Sequence, residues 1–238
     1  MLLLAAGKGD RLGWPAPKAF VEVGGRPLFD YSLDAIERSD VAEEVVLVVG
    51  EGHLDQAAAL VRKLDRTDMV AAIVAGGASR QGSVRRGLSA VDAASEVVLC
   101  HDAARPFASS ELFRRVAGAL GRGGAGGEAA GAVPVIGTAD TVKRVRGGHV
   151  VETIPREEIG LAQTPQAFLA PALREAHQRA ADRSVPATDD AALLEAAGFS
   201  VIAVQGEPLN FKITTAEDLR QAEGLLLRGE ISGQEIRT

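Results

Sequence analysis

Glycines and cations gather in one early turn, Ala5-Ala6-Gly7-Lys8-Gly9-Asp10-Arg11-Leu12-Gly13, which runs on into Pro15-Ala16-Pro17-Lys18. Glycines let backbone N–H groups come close to an anion, successive N–H groups form a nest for it, and Arg11 and Lys18 would add mobile positive charge. A polyphosphate suits such a loop, although the glycines alone would read equally well as a plain tight turn. The spacing of Gly7, Gly9 and Gly13 matches neither the G-x-x-x-x-G-K-[ST] phosphate loop nor the G-x-G-x-x-G dinucleotide turn. Only five of the 26 basic residues are lysines: Lys8, Lys18, Lys63, Lys143 and Lys212. In a chain that prefers Arg, a Lys inside a turn points weakly to a crowded phosphate, where a compact ammonium fits and a guanidinium does not. Lys63, in a helical pattern, reads as a solvated face.

A second group follows the apolar run Val97–Cys100, namely His101-Asp102-Ala103-Ala104-Arg105-Pro106. A carboxylate at the end of such a run can hold Mg²⁺ through one or two oxygens, which makes Asp102 the candidate metal ligand. The small Ala103 and Ala104 leave room for a ligand, and Arg105 could grip a second phosphate. Asp102 would equally serve as a helix cap, and His101 reads as one half of a hydrogen-bonded core pair with Asp102 rather than a zinc ligand. In a third group, Gly76 and Gly77 could admit a flat base with Ser83 at its polar edge, while Ser79 suits a helix cap. Thr188-Asp189-Asp190 reads as a capped helix start. Lys212 lies near the end of a short extended run, ahead of a helix capped by Thr215.

The elements that would position these groups follow from hydrophobic periodicity. Leu2–Ala5, Val45–Val49, Met69–Val74, Val97–Cys100 and Gly131–Val135 read as buried strands. Helix-length amphipathic stretches at 27–38, 53–65, 80–94 and 109–121 alternate with them. That rhythm predicts a mainly parallel α/β sheet with helices on both faces, and such sheets bind ligands beyond the carboxyl ends of their strands. Residues 138–146 and 149–154 around Gly147-Gly148 predict a β-hairpin, which is marginal in isolation and must lean on something, such as a second subunit. The glycine-rich stretch 121–127 reads as a loop. Further helices are expected near 171–182, 189–197 and 215–228, with a strand at Phe199–Val204 and a frayed tail from Gly229.

The 238 residues are 46% hydrophobic and 24% charged, the profile of a packed globular chain. With 26 basic and 32 acidic residues the net charge is −6, the wrong sign for general nucleic-acid attraction. A lone cysteine, Cys100, allows neither an internal disulfide nor a multi-cysteine zinc site and suggests a core position in a reducing compartment. The apolar start is too short for a signal peptide, and no apolar run approaches the roughly 18 residues of a membrane span, so a cytoplasmic location is expected.

Taken together, the chain resembles the cytidylyltransferases that act on 2-C-methyl-D-erythritol 4-phosphate in the non-mevalonate route to isoprenoids. The resemblance is carried by Ala5-Ala6-Gly7 with Gly9 and Arg11, Pro17-Lys18, Gly76-Gly77 with Arg80 and Ser83, and His101-Asp102-Ala103-Ala104-Arg105-Pro106. It continues through Asp140-Thr141-Val142-Lys143, Thr164-Pro165-Gln166, Thr188-Asp189, and Asn210 with Lys212. It implies a single nucleotidyltransferase domain over 1–238 with a three-layer Rossmann-like fold. A hairpin arm at about 135–155 would embrace a second copy in a homodimer.

The resemblance also implies that CTP sits on Ala5, Ala6, Gly7, Lys8 and Gly9, with Gly77, Ser83 and Ala103 around base and ribose. Asp102, Arg105, Thr164 and Lys212 would contact the methylerythritol phosphate from the home subunit, and Thr141 and Arg156 from the neighbouring one. Arg11, Lys18, Arg156 and Lys212 are the implied catalytic cations, with Mg²⁺ on Asp102. Leu4 stands where members often carry Pro, Ala78 where an acidic residue can occur, and Asp10 lies inside the phosphate loop. A relative acting on ribitol 5-phosphate would share almost every motif. A catalytically silent nucleotide-binding subunit would be expected to lack Arg11, Lys18 or Asp102, and the glycine spacing disfavours an NAD-dependent oxidoreductase.

Overall fold

A computed structural model describes residues 1–7, 18–120, 129–183 and 187–231. The sheet is built from β1 (Leu2–Ala5), β4 (Val45–Val49), β5 (Val70–Ala75), β6 (Val97–Asp102), β7 (Gly131–Ile136), β10 (Leu161–Ala162), β11 (Gln166–Leu169) and β12 (Val201–Gln205). Between β1 and β4 lies a small ribbon of β2 (Glu22–Val23) and β3 (Arg26–Pro27). The helices are α1 (Leu28–Ser39), α2 (Leu54–Lys63), α3 (Arg80–Leu88), α4 (Ser110–Ala117), α5 (Ala170–Arg183), α6 (Asp190–Ala196) and α7 (Ala216–Leu227).

Strands β6, β1, β4 and β5 pair in that order, all parallel, as the alternating rhythm predicts. On the other side the sheet changes direction. β11 lies antiparallel between β6 and β7, β10 continues along the same edge of β7, and β12 adds a parallel strand on the far edge. The fold is therefore a mainly parallel three-layer Rossmann-like sheet with a reversed insertion.

Side chains alternate across the strands. Leu3, Ala5, Leu47 and Leu99 pack with α1, α2 and α4, whereas Leu2, Leu4, Val48 and Cys100 pack with α3, α5 and α6. This period of two is what a strand with both faces covered requires. Each fully buried Leu or Phe adds about 1.5–3 kcal/mol of transfer free energy. A third cluster joins α7, through Leu219, Ala222 and Leu225, to Val21, Val23 and Phe107.

Helix ends follow local chemistry. Ser79, Ser109 and Asp189 cap α3, α4 and α6 through side-chain oxygens, and Thr215 forms a capping box with Asp218. Two helices stop earlier than their apolar spacing predicts. Past α3 the Asp92 carboxylate accepts from Ala94 N at 2.8 Å and diverts the chain into a turn, and α4 ends at the Gly118 cap.

The expected hairpin is present as β8 (Val142–Arg146) and β9 (His149–Ile154), a separate two-stranded sheet. Gly147 and Gly148 both have positive φ, 55° and 80°, as a two-residue turn of the primed type needs. Its strands begin at 142, so Val135 and Ile136, at the expected start of the arm, belong to β7 instead. The glycine-rich stretch 121–127 lies outside the described residues.

Candidate active site

A cavity of about 490 Å³ opens at the carboxyl ends of β1, β5 and β6. Ala5, Ala6 and Gly7 form one wall, Lys18 and Ala19 another, Gly77–Ser79 with Arg80 and Ser83 a third, and Asp102, Ala104, Lys212 and Thr214 the floor and rim. Thus Ala5, Ala6, Gly7, Lys18, Gly77, Ser83, Asp102 and Lys212, spread over more than 200 residues of sequence, meet in one space. Lys8, Gly9 and Arg11 lie outside the described residues.

The loop after β5 owes its shape to close packing. A Cβ on Gly76 would lie 2.5 Å from Ala6 Cβ and 2.8 Å from Ser83 Oγ, and one on Gly77 would lie 2.8 Å from the carbonyl carbon of Gly82. These glycines therefore let the β5 loop seat against β1 and the first turn of α3, and Gly77 also lines the cavity. Ser83 Oγ accepts from Gly77 N at 3.1 Å and donates to Ser79 O at 2.9 Å, which fixes the loop from inside the helix.

Asp102 ends β6 and is buried, and each of its oxygens already has a cationic partner. Arg80 Nε donates to Oδ1 at 3.1 Å and Lys212 Nζ donates to Oδ2 at 2.5 Å. Burial pushes its pKa up, but Arg80 and then Lys212 outweigh that and hold the carboxyl well below the usual carboxylate range. No cluster of three or more metal-ligating side chains exists among the described residues. A single carboxylate whose two oxygens are both engaged by cations is a poor fit for Mg²⁺, so no metal is placed on Asp102.

His101 does not pair with Asp102 as expected. Its Nδ1 lies 3.1 Å from Thr164 Oγ1 and its Nε2 lies 3.1 Å from Arg105 O, with the ring edge against Phe113. Burial pushes its pKa down to about 4, so the ring is neutral at pH 7. Thr164 Oγ1 also accepts from Asp102 N, which ties the β10–β11 connection to the end of β6.

Other expected residues stand apart from the cavity wall. Ala103 is fully buried, with its N–H on Leu4 O, and Ala104 takes the lining position. The Arg105 guanidinium is held by the carbonyls of Asn210 and Ala162, and its Nε has no partner among the described residues. Thr141 is exposed at the foot of the hairpin, and Arg156, just past β9 at the same foot, donates to Ala139 O at 2.7 Å. Sequence reasoning gave no site role to Arg80, whose partners Asp102 and Asp190 lie 22 and 110 residues away. The shared Gly76-Gly77 and Arg80 spacing was its only signal.

A three-layer sheet with a glycine-edged, cation-rimmed cavity beyond its parallel strands defines a nucleotide-handling α/β enzyme. Residues 1–228 match the family model of the 2-C-methyl-D-erythritol 4-phosphate cytidylyltransferases, and the chain belongs to that family. A member from Halalkalibacterium halodurans is 40% identical over 230 residues, covering 97% of each chain. The solved structure of the Thermus thermophilus cytidylyltransferase is similar with a TM-score of 0.76 at 37% identity, covering 95% of this chain and 98% of that one. The 4-diphosphocytidyl-2C-methyl-D-erythritol synthase of Anaerococcus prevotii gives 0.83 at 33% identity, covering 95% of both. No helix of the described residues is long and apolar enough to cross a membrane.

Proposed function

We propose that this protein transfers CMP from CTP to 2-C-methyl-D-erythritol 4-phosphate, giving 4-diphosphocytidyl-2-C-methyl-D-erythritol and pyrophosphate. The observation that carries this reading is the meeting of Gly7, Lys18, Gly77, Asp102 and Lys212 in one cavity of a chain belonging to this family. A phosphate oxygen of the acceptor attacks the α-phosphorus of CTP in line. The bond from that phosphorus to the bridging oxygen of the β-phosphate breaks, and pyrophosphate leaves with the electron pair.

Two polyanions must meet, so the protein supplies position and positive charge. Ala5 to Gly9 cradle the triphosphate, Lys18 and Arg11 stabilise the crowded transition state, and Gly77 and Ser83 face the nucleoside. Asp102, locked by Arg80 and Lys212, suits a set of acceptor hydroxyls, and Arg105, held by carbonyls among the described residues, leaves charge for the acceptor phosphate. No step is routed through Mg²⁺, because Asp102 has no oxygen free of a cation. The hairpin would embrace a second copy, so that Thr141 and Arg156 reach the neighbouring site. Its exposed Val145, Val150 and Val151 support that reading. The buried Cys100 fits a cytoplasmic enzyme.

The test is pyrophosphate release from CTP and Mg²⁺, with methylerythritol phosphate and ribitol 5-phosphate run side by side. Release with methylerythritol phosphate alone is expected. Release with ribitol 5-phosphate alone would move the acceptor assignment, and silence with both despite CTP binding would overturn the enzymatic reading.

A further inference from the structure

Behind the Arg80–Asp102 pair the polar chain continues away from the cavity. Arg80 Nη1 donates to Asp190 Oδ2 at 2.7 Å, and Asp190 Oδ1 lies 3.0 Å from His177 Nε2. Lys212, Asp102, Arg80, Asp190 and His177 thus form one line from the cavity rim to the middle of α5. Its inner members are sealed from solvent: Asp190 is 0% exposed and His177 2%.

Asp190 has no capping duty that would explain a buried charge. Asp189 caps α6, its Oδ1 accepting from Ala192 N at 3.0 Å, and Asp190 turns inward instead. A buried ion pair roughly breaks even against well-packed apolar side chains, so its contribution is sought in geometry rather than stability. Arg80 opens α3 on the cavity wall, and its long side chain has many rotamers. Without an anchor it would swing into the cavity toward a polyanion and release Asp102 Oδ1. Asp190 holds the guanidinium by Nη1 from behind, so that Nε faces Asp102, and His177 fixes the plane of the Asp190 carboxylate.

We infer that Asp190 and His177 are positioning residues for the acceptor, acting through Arg80 to hold the Asp102 carboxylate in the orientation that receives the acceptor polyol phosphate. The inference rests on Asp102 contacting the acceptor, as proposed above. It predicts that damage at Asp190, outside the cavity wall, reads out as acceptor affinity and leaves the nucleotide side alone.

The test compares Asp190→Asn, His177→Gln, Arg80→Gln, Arg80→Gln with Asp190→Asn, and Asp102→Asn, with KM for methylerythritol phosphate and for CTP, kcat and Tm measured on each. Asp190→Asn is expected to raise the acceptor KM roughly tenfold, the equivalent of one lost hydrogen bond to a charged group. KM for CTP should stay within about twofold, as expected when only the acceptor contact is weakened. His177→Gln should move the acceptor KM the same way by less, and it carries the test if Asp190→Asn does not fold. In the Arg80→Gln background, Asp190→Asn should add nothing to the acceptor KM, because the path is already cut. A fall in Tm with both KM values unchanged, or an Asp190 effect that persists without Arg80, would overturn the inference. An unchanged acceptor KM in Asp102→Asn would instead overturn the underlying assignment of Asp102.

Discussion

Thr164 and Asp102 are joined across 62 residues by a 3.0 Å hydrogen bond from Asp102 N to Thr164 Oγ1. The same hydroxyl meets His101 Nδ1 at 3.1 Å, so one side chain from the β10–β11 connection satisfies two buried groups at the end of β6. Replacing Thr164 with Val keeps the shape and removes the oxygen. The expected loss is about 1–3 kcal/mol of stability, the cost of unsatisfied buried polar groups, with a lowered kcat/KM. Thr164→Ser should restore most of both. Urea unfolding and steady-state kinetics on the two variants decide the matter, and equal behaviour of Val and Ser would remove the hydroxyl from the explanation.

Lys18 lies on the cavity wall, in the short helical turn Lys18–Phe20 after the glycine loop. Lys18→Ala should lower kcat on the order of 10²-fold or more, as loss of a transition-state donor does. Arg11→Ala should behave alike. Single-turnover rates at saturating substrates measure this directly, and near-normal turnover in Lys18→Ala would mean its charge serves some other purpose.

His101 sets a pH dependence of stability. Its folded pKa is pushed down to about 4 from 6.5, so between those values the unfolded chain binds the proton and the native one does not. Stability therefore rises with pH through that window and is lost as pH falls from 6.5 toward 4, by a contribution on the order of 3 kcal/mol. His101→Asn should flatten this part of the curve. Urea midpoints taken across the window would show the same slope in both proteins if His101 were not responsible.

The shared-site proposal makes a prediction for mixtures. Lys18→Ala and Arg156→Ala would each be nearly inactive alone. If Arg156 serves the neighbouring site, a mixed dimer holds one site with both residues intact. Co-refolding the two variants should then recover activity that neither has alone, whereas an Arg156 acting within its own subunit would give no recovery.

Legibility of the sequence tracked locality. Leu2–Ala5 and Val45–Val49 could be read as strands because their apolar runs are bounded and both faces are covered. The caps Ser79, Asp189 and Thr215 could be read because capping is decided within three residues. β11 escaped because Gln166–Leu169 is four residues long, without alternation, and runs directly into α5. The floor of the site was legible at Asp102 and Lys212 as types, but not as a pair, since 110 residues separate them. Gly76 and Gly77 could be singled out from the sequence, but only the packing of Ala6, Ser83 and Gly82 reveals why no side chain fits there.

Among the described residues the arm of β8 and β9 pairs with no strand but its own other half, and it carries Val145, Val150 and Val151 in the open. Its backbone bonds are consequently guarded by very little, and in a lone chain its amides would trade hydrogen for deuterium with water far sooner than those of β1 or β6. Burial of the same ribbon against a second copy would slow that exchange only while the copies stay together. The arm's deuterium uptake thus becomes a gauge of assembly, slowing as protein concentration rises while the central sheet keeps its own pace.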